Sequence, residues 1–119
     1  MVNTMSAITT HVLDAVLGKP AAGIFVSLEK FRGAPESPGG LWSVLSRGQT
    51  DNDGRCRDLS PDTPEGLYRI TFHVHDYFTR QGRTSIYFEI PITFHCDGKS
   101  HYHLPLLLSD NSYTTYRGS

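Results

Sequence analysis

Six histidines stand among the 119 residues, and four of them form His-x-His pairs, His73 with His75 and His101 with His103. On a strand, residues i and i+2 share one face roughly 6 to 7 Å apart, which suits two ligands of one metal ion. A zinc site also needs a third ligand, commonly beside a carboxylate or thiolate, and no neighbouring residue supplies one at a recognisable spacing. The competing reading of each pair is a hydrogen-bonded or surface histidine. Metal-free acid–base chemistry is the other use, because imidazole titrates near neutral pH and is the commonest general base. Such a site needs imidazoles, something that holds their protonation states, and hydrogen-bonding groups for a substrate. His11, His103, Arg55, Tyr116 and Ser119 are of these types. Taken singly, Arg55 reads equally as a solvated loop charge, and local sequence alone does not bring the five together.

The elements that must position them read as strands. In residues 101–108 (HYHLPLLL), His101, His103, Pro105 and Leu107 fall on one face and Tyr102, Leu104, Leu106 and Leu108 on the other, which is wholly apolar. Residues 112–118 read as a second strand, and the chain stops on Ser119 directly after it. Chain ends usually fray, so an end this close to a strand with polar and aromatic side chains is expected to be packed. Residues 8–14 (ITTHVLD) are β-prone and carry His11, and residues 17–20 (LGKP) are turn chemistry. Residues 24–31 alternate with period two, residues 33–40 form a Pro- and Gly-rich loop, and residues 41–47 are a strand with the sole Trp.

Residues 48–57 (GQTDNDGRCR) read as a loop that presents Arg55 directly after a glycine able to take positive φ, bordering a short fourth strand. Residues 67–75 (LYRITFHVH) alternate as a strand. Residues 76–82 suit two turns of helix, with Asp76 in front and Gly82 behind. Residues 86–96 are a strand in which Pro91 requires an edge or a bulge, and Asp97-Gly98 is a hairpin signal that would join this strand to the one at His101. Seven or eight short strands and one brief helix add up to an all-β sandwich.

One domain is the default at this length, with roughly two-thirds of the unfolded chain's surface buried on folding. A net charge of −1 with scattered basic residues gives no footprint for nucleic acid or an anionic membrane surface. No apolar run approaches the roughly 20 residues of a membrane helix, and residues 1–10 carry no export signal. Cys56 and Cys96 are far apart in unlike contexts, so neither a disulfide framework nor a Cys-based zinc site is indicated. A cytoplasmic location is expected, with a peroxisomal one left open.

HYHLPLLLS followed by SYTTYRGS resembles the C-terminal signature of the transthyretin-like 5-hydroxyisourate hydrolases, and YRGS (116–119) is its most specific part. Residues 10–23 (THVLDAVLGKPAAG) resemble the family's N-terminal block and residues 50–55 (TDNDGR) its central one. Asp110 takes the place of the usual proline after the leucine run, which is expected to loosen that turn. The resemblance implies a transthyretin-like sandwich of two antiparallel sheets over residues 1–119, with residues 1–7 disordered. It also implies dimers formed by edge-strand pairing, and a homotetramer whose active sites lie in a channel at the dimer–dimer interface. It implies hydrolysis of 5-hydroxyisourate to 2-oxo-4-hydroxy-4-carboxy-5-ureidoimidazoline in urate catabolism, with no metal and no cofactor. Matched by position, His11, Arg55, His103 and Ser119 would be catalytic, and Tyr116, Arg55 and Ser119 would hold substrate. His73, His75, His95 and His101 would not be catalytic. The alternative is a non-catalytic carrier of a small aromatic ligand on the same fold; that branch has lysine in place of His11 and lacks the second histidine of HYH.

Overall fold

The computed structural model describes residues 8–34, 40–60 and 62–119. The centre of the expected loop at 33–40 and the N-terminal seven residues lie outside them. In order come β1 (Ile8–Asp14), β2 (Lys19–Pro20), β3 (Phe25–Arg32), β4 (Leu41–Gln49), β5 (Arg55–Ser60), β6 (Gly66–His73), α1 (Val74–Arg80), β7 (Ile90–Cys96), β8 (Tyr102–Leu108) and β9 (Tyr113–Thr115). One sheet runs β4-β3-β6-β7 and is antiparallel throughout. The other runs β2-β1-β8-β9, with β5 also on β1. It is antiparallel except for β1 and β8, which pair in parallel over all seven residues of β1. No helix among the described residues is long and apolar enough to cross a membrane.

The period-two patterns bury as expected. Val26, Leu28, Tyr68, Ile70 and Phe72 from one sheet, with Ile24 just before it, meet Ile8, Val12, Leu104, Leu106 and Leu108 from the other. Each large side chain sealed there contributes about 1.5–3 kcal/mol relative to exposure.

Four expectations are corrected. The helix begins at Val74, not Asp76, because Val74, Tyr77 and Phe78 bury together at helical spacing; this takes His75 off the strand, so His73 and His75 do not share a strand face. The strand at 86–96 begins only at Ile90; Pro91 then sits on an edge strand, opposite Thr71, where it costs no ladder bond. Asp97-Gly98 makes no hairpin, because β7 and β8 belong to different sheets. The Asp97 carboxylate instead accepts from the N–H groups of Lys99 and Ser100, which winds a crossing turn between the layers. Finally, the last strand is short: β9 ends at Thr115, and only Gly118 returns to bridge His103.

The turn after β8 is tied despite lacking its proline. Arg83 donates to Asp110 Oδ1 at 2.5 Å and to Asp14 Oδ2 at 2.6 Å. Asp14 is fully buried at the end of β1 and also accepts from Tyr77 Oη at 2.7 Å and from the N–H groups of Val16 and Leu17.

Candidate active site

Alternation decides what faces outward. Ile8, Thr10, Val12 and Asp14 of β1 are buried, so Thr9, His11 and Leu13 point away from the core. In β8 Tyr102, Leu104, Leu106 and Leu108 face the core, so His103, Pro105 and Leu107 share that outer face, with Pro105 buried there. The parallel register sets Thr9 beside His103, and the antiparallel β1–β5 register sets Arg55 opposite His11. Sequence-distant residues thus converge on one surface.

Arg55 is placed by the tight loop before β5. Asp51 Oδ1 accepts from the N–H groups of Asp53 and Arg55 at 2.9 and 3.0 Å, and Thr50 Oγ1 bridges Ile24 N–H and the Ala21 carbonyl. Gly54 has φ +76° and its carbonyl accepts from Val12 N–H at 2.7 Å. A Cβ at Gly54 would run into the Val12 carbonyl oxygen, so only glycine lets the loop lie this close to β1.

The C-terminal segment is held at three points. Thr115 Oγ1 donates to the Pro105 carbonyl at 2.8 Å, and Gly118 N–H donates to the His103 carbonyl at 2.7 Å. Arg117 lies over the Tyr102 ring at 4.2 Å and donates to the His101 carbonyl at 3.2 Å. Gly118 passes so near His103 that a Cβ there would come within 2.8 Å of His103 Cδ2. Ser119 itself is exposed at the mouth of the site.

The result is an open cleft of about 490 Å³. Arg55, His103 and Ser119, three of the candidate residues, line it together with Thr9, Thr10, Arg57 and His101. His11 and Tyr116 are not among its lining residues; His11 is half-buried beside it, and Tyr116 is 52% exposed. Partial burial pushes the His103 pKa below its ordinary 6.5, and the charges of Arg55, His101 and His11 push it the same way. Both causes favour the neutral ring, one by withholding solvation and the other by like-charge repulsion. An imidazole biased toward its neutral form, a guanidinium and a hydroxyl in one open cleft can take a proton from water, stabilise a developing oxyanion and orient a polar ring. Among the described residues no three His, Cys, Asp or Glu side chains are grouped to hold a metal ion.

Sequence reasoning missed Thr9. Its hydroxyl lies 2.8 Å from His103 Nδ1 and 3.3 Å from His101 Nε2. The available signal was its place two residues before His11, on the same strand face.

A profile described as the HIUase/Transthyretin family matches residues 8–118. The 5-hydroxyisourate hydrolase of Salmonella typhimurium is 41% identical over 115 residues, covering 94% of this chain and 80% of the relative. Among solved structures, Klebsiella pneumoniae 5-hydroxyisourate hydrolase is similar with TM-score 0.81 and 35% identity, over 97% of this chain and all of the other. Transthyretin from Sparus aurata is similar with TM-score 0.83 and 32% identity, over 94% and 96% of the two chains.

Proposed function

This chain belongs to the HIUase/Transthyretin family, and from that premise we propose that it hydrolyses 5-hydroxyisourate to 2-oxo-4-hydroxy-4-carboxy-5-ureidoimidazoline in urate catabolism. The observation that carries the reading is the convergence of His103 and Arg55 in one cleft, where partial burial and the neighbouring cation bias the imidazole toward its neutral, basic form. Relatives named 5-hydroxyisourate hydrolase support it.

His103 takes a proton from water as the water oxygen attacks the amide-like ring carbonyl. Arg55 donates to the oxygen on which negative charge develops, where a cation in a partly desolvated site stabilises the transition state more than the ground state. As the tetrahedral species collapses, the ring C–N bond breaks and the proton on His103 passes to the leaving nitrogen. His11, opposite Arg55, helps hold the water. The Ser119 hydroxyl and main chain orient the substrate's donors and acceptors, with Tyr116 on the open side.

We place four chains around this site. Val16 and Leu17, at the turn after β1, are 58% and 45% exposed, and Tyr116 lies exposed near the cleft; a second dimer packed there would cover them and close the cleft into a channel. The outer edges of β7 and β9, which pair with no further strand among the described residues, supply the pairing within each dimer. The compartment proposed for the chain is the cytoplasm.

The test is the decay of 5-hydroxyisourate, made fresh from urate by urate oxidase and followed by ultraviolet absorbance. Wild type is expected to accelerate the decay and His103→Ala to lose nearly all of that acceleration. A wild type no faster than buffer overturns the hydrolase reading, and an active His103→Ala overturns the choice of base.

A further inference from the structure

One hydroxyl holds both members of the HYH pair. Thr9 Oγ1 stands 2.8 Å from His103 Nδ1 and 3.3 Å from His101 Nε2, in the parallel register that sets Thr9 beside His103. A hydroxyl has a single proton to donate and lone pairs to accept with. If it donates to one imidazole it must accept from the other, so the two rings cannot choose their tautomers independently. Two arrangements satisfy the geometry. In one, Thr9 donates to His103 Nδ1 and leaves the proton of neutral His103 on Nε2. In the other, Thr9 accepts from His103 Nδ1–H and donates to His101 Nε2, leaving His103 Nε2 as a bare lone pair.

The surroundings of His103 choose between them. Nδ1 is taken by Thr9, and the Cδ2 edge of the ring lies against Gly118. That leaves Nε2 as the ring nitrogen free to meet a reactant, and no described side chain hydrogen-bonds it. Arg55 lines the same cleft, is a cation, and can only donate. A lone pair at Nε2 is attracted by that cation, whereas an N–H there is repelled. His101 is exposed and free to supply the acceptor nitrogen that the second arrangement needs.

We propose that Thr9, backed by His101, is a positioning residue for the base: its hydroxyl accepts from His103 Nδ1–H, donates to His101 Nε2, and so keeps the Nε2 lone pair of His103 aimed into the cleft. This rests on His103 being the base of the proposed reaction. A ring held in the wrong tautomer would present a proton where the chemistry needs a pair of electrons, and it could not accept from water without first turning over. The Gly118 main chain, which passes close to the Cδ2 edge of the ring, limits that turning.

The experiment reads the tautomer directly, by nitrogen-15 NMR of histidine-labelled protein above the titration range, beside steady-state kinetics of 5-hydroxyisourate. Wild-type His103 is expected as the Nδ1–H form. Thr9→Val, nearly equal in volume and suited to a strand, is expected to shift His103 toward the Nε2–H form and to lower kcat about tenfold or more with KM within about twofold. Thr9→Ser, which restores the hydroxyl, is expected to recover both. His101→Ala removes the acceptor, frees the hydroxyl to donate to His103, and is expected to give a mixture of tautomers. A purely packing role for Thr9 would leave the tautomer unmoved in Thr9→Val, and that result overturns the proposal. The tautomer needs no substrate, so the two failures separate. A wild type that does not accelerate decay overturns the hydrolase reading, whereas an active wild type with His103 in the Nε2–H form overturns the Thr9 assignment alone.

Discussion

At the scale of single residues, the proposed chemistry rests on a balance around His103. The ring is only partly withdrawn from water, and Arg55, His101 and His11 add like charge whenever it takes a proton. Its pKa therefore lies below the ordinary 6.5, and the base stays free further into acid than a solvated histidine would. Removing Arg55 has two separable effects. Arg55→Ala is expected to lower kcat/KM about a hundredfold or more, the loss typical of a missing oxyanion donor. It is also expected to move the acid limb of the pH profile upward, because the lost cation no longer disfavours the protonated ring. A pH–rate profile of both proteins checks this; a rate loss with an unmoved limb would mean that Arg55 and His103 do not sense one another. His11 and Tyr116 have the right chemistry and the expected family positions, yet neither lines the cleft. The contributions proposed for them run through water and the open side.

At the scale of elements, two connections set the geometry. The first is the loop that ends in Gly54, whose close approach to β1 aims Arg55 across from His11. Gly54→Ala forces a Cβ against the Val12 carbonyl at positive φ. It is expected to cost about 2 kcal/mol of stability and to depress activity at temperatures where the variant remains folded, measurable by urea melts beside turnover. The second is the Arg83 tie among Asp14, the segment after α1 and the β8–β9 turn. Burial alone would push the Asp14 carboxyl up, but hydrogen bonds from Arg83, Tyr77 and the Leu17 N–H, with the Arg83 charge, hold it below 3.8. A depressed carboxyl pKa contributes stability that is present above the unfolded value and lost as pH falls through the folded one. Arg83→Met leaves that carboxylate buried without its cation and is expected to cost about 3 kcal/mol at pH 7. The gap to wild type should narrow as pH drops and Asp14 protonates in the variant. A gap that stays constant with pH would assign the whole effect to the packing of Arg83 over the Phe78 ring.

At the scale of the whole molecule, the site faces outward from one sheet and is open in the single chain. Sedimentation equilibrium is expected to give four times the 13.3 kDa chain mass, and Leu17→Glu, which sets a charge on the exposed turn beside that face, is expected to give half of the wild-type mass. A single-chain mass for wild type would remove the channel from the account while leaving the cleft.

The linear pattern by itself determined most of the sandwich and the cast of the site. Period-two alternation fixes which strand faces are buried, because a pleated strand leaves no other way to hide alternate apolar side chains; the strands at Val26, at Ile70 and at Leu106 were legible on that ground, and the strand at Ile8 by its β-prone residues. The histidines, Arg55 after its glycine and the YRGS ending were legible by residue type and family resemblance. Tertiary structure alone decided which strand lies beside which. Asp97-Gly98 has the chemistry of a hairpin, yet β7 and β8 part to separate sheets, since burying the Tyr102–Leu108 face against the opposite layer outweighs a local turn preference. The helix start moved to Val74 for a related reason, the burial of its side chain with Tyr77 and Phe78. The meeting of Thr9 with His103, across 94 residues and in a parallel register, leaves no trace in any local window. Long-range pairing is chosen by the packed core as a whole, and the active-site hydroxyl came with it.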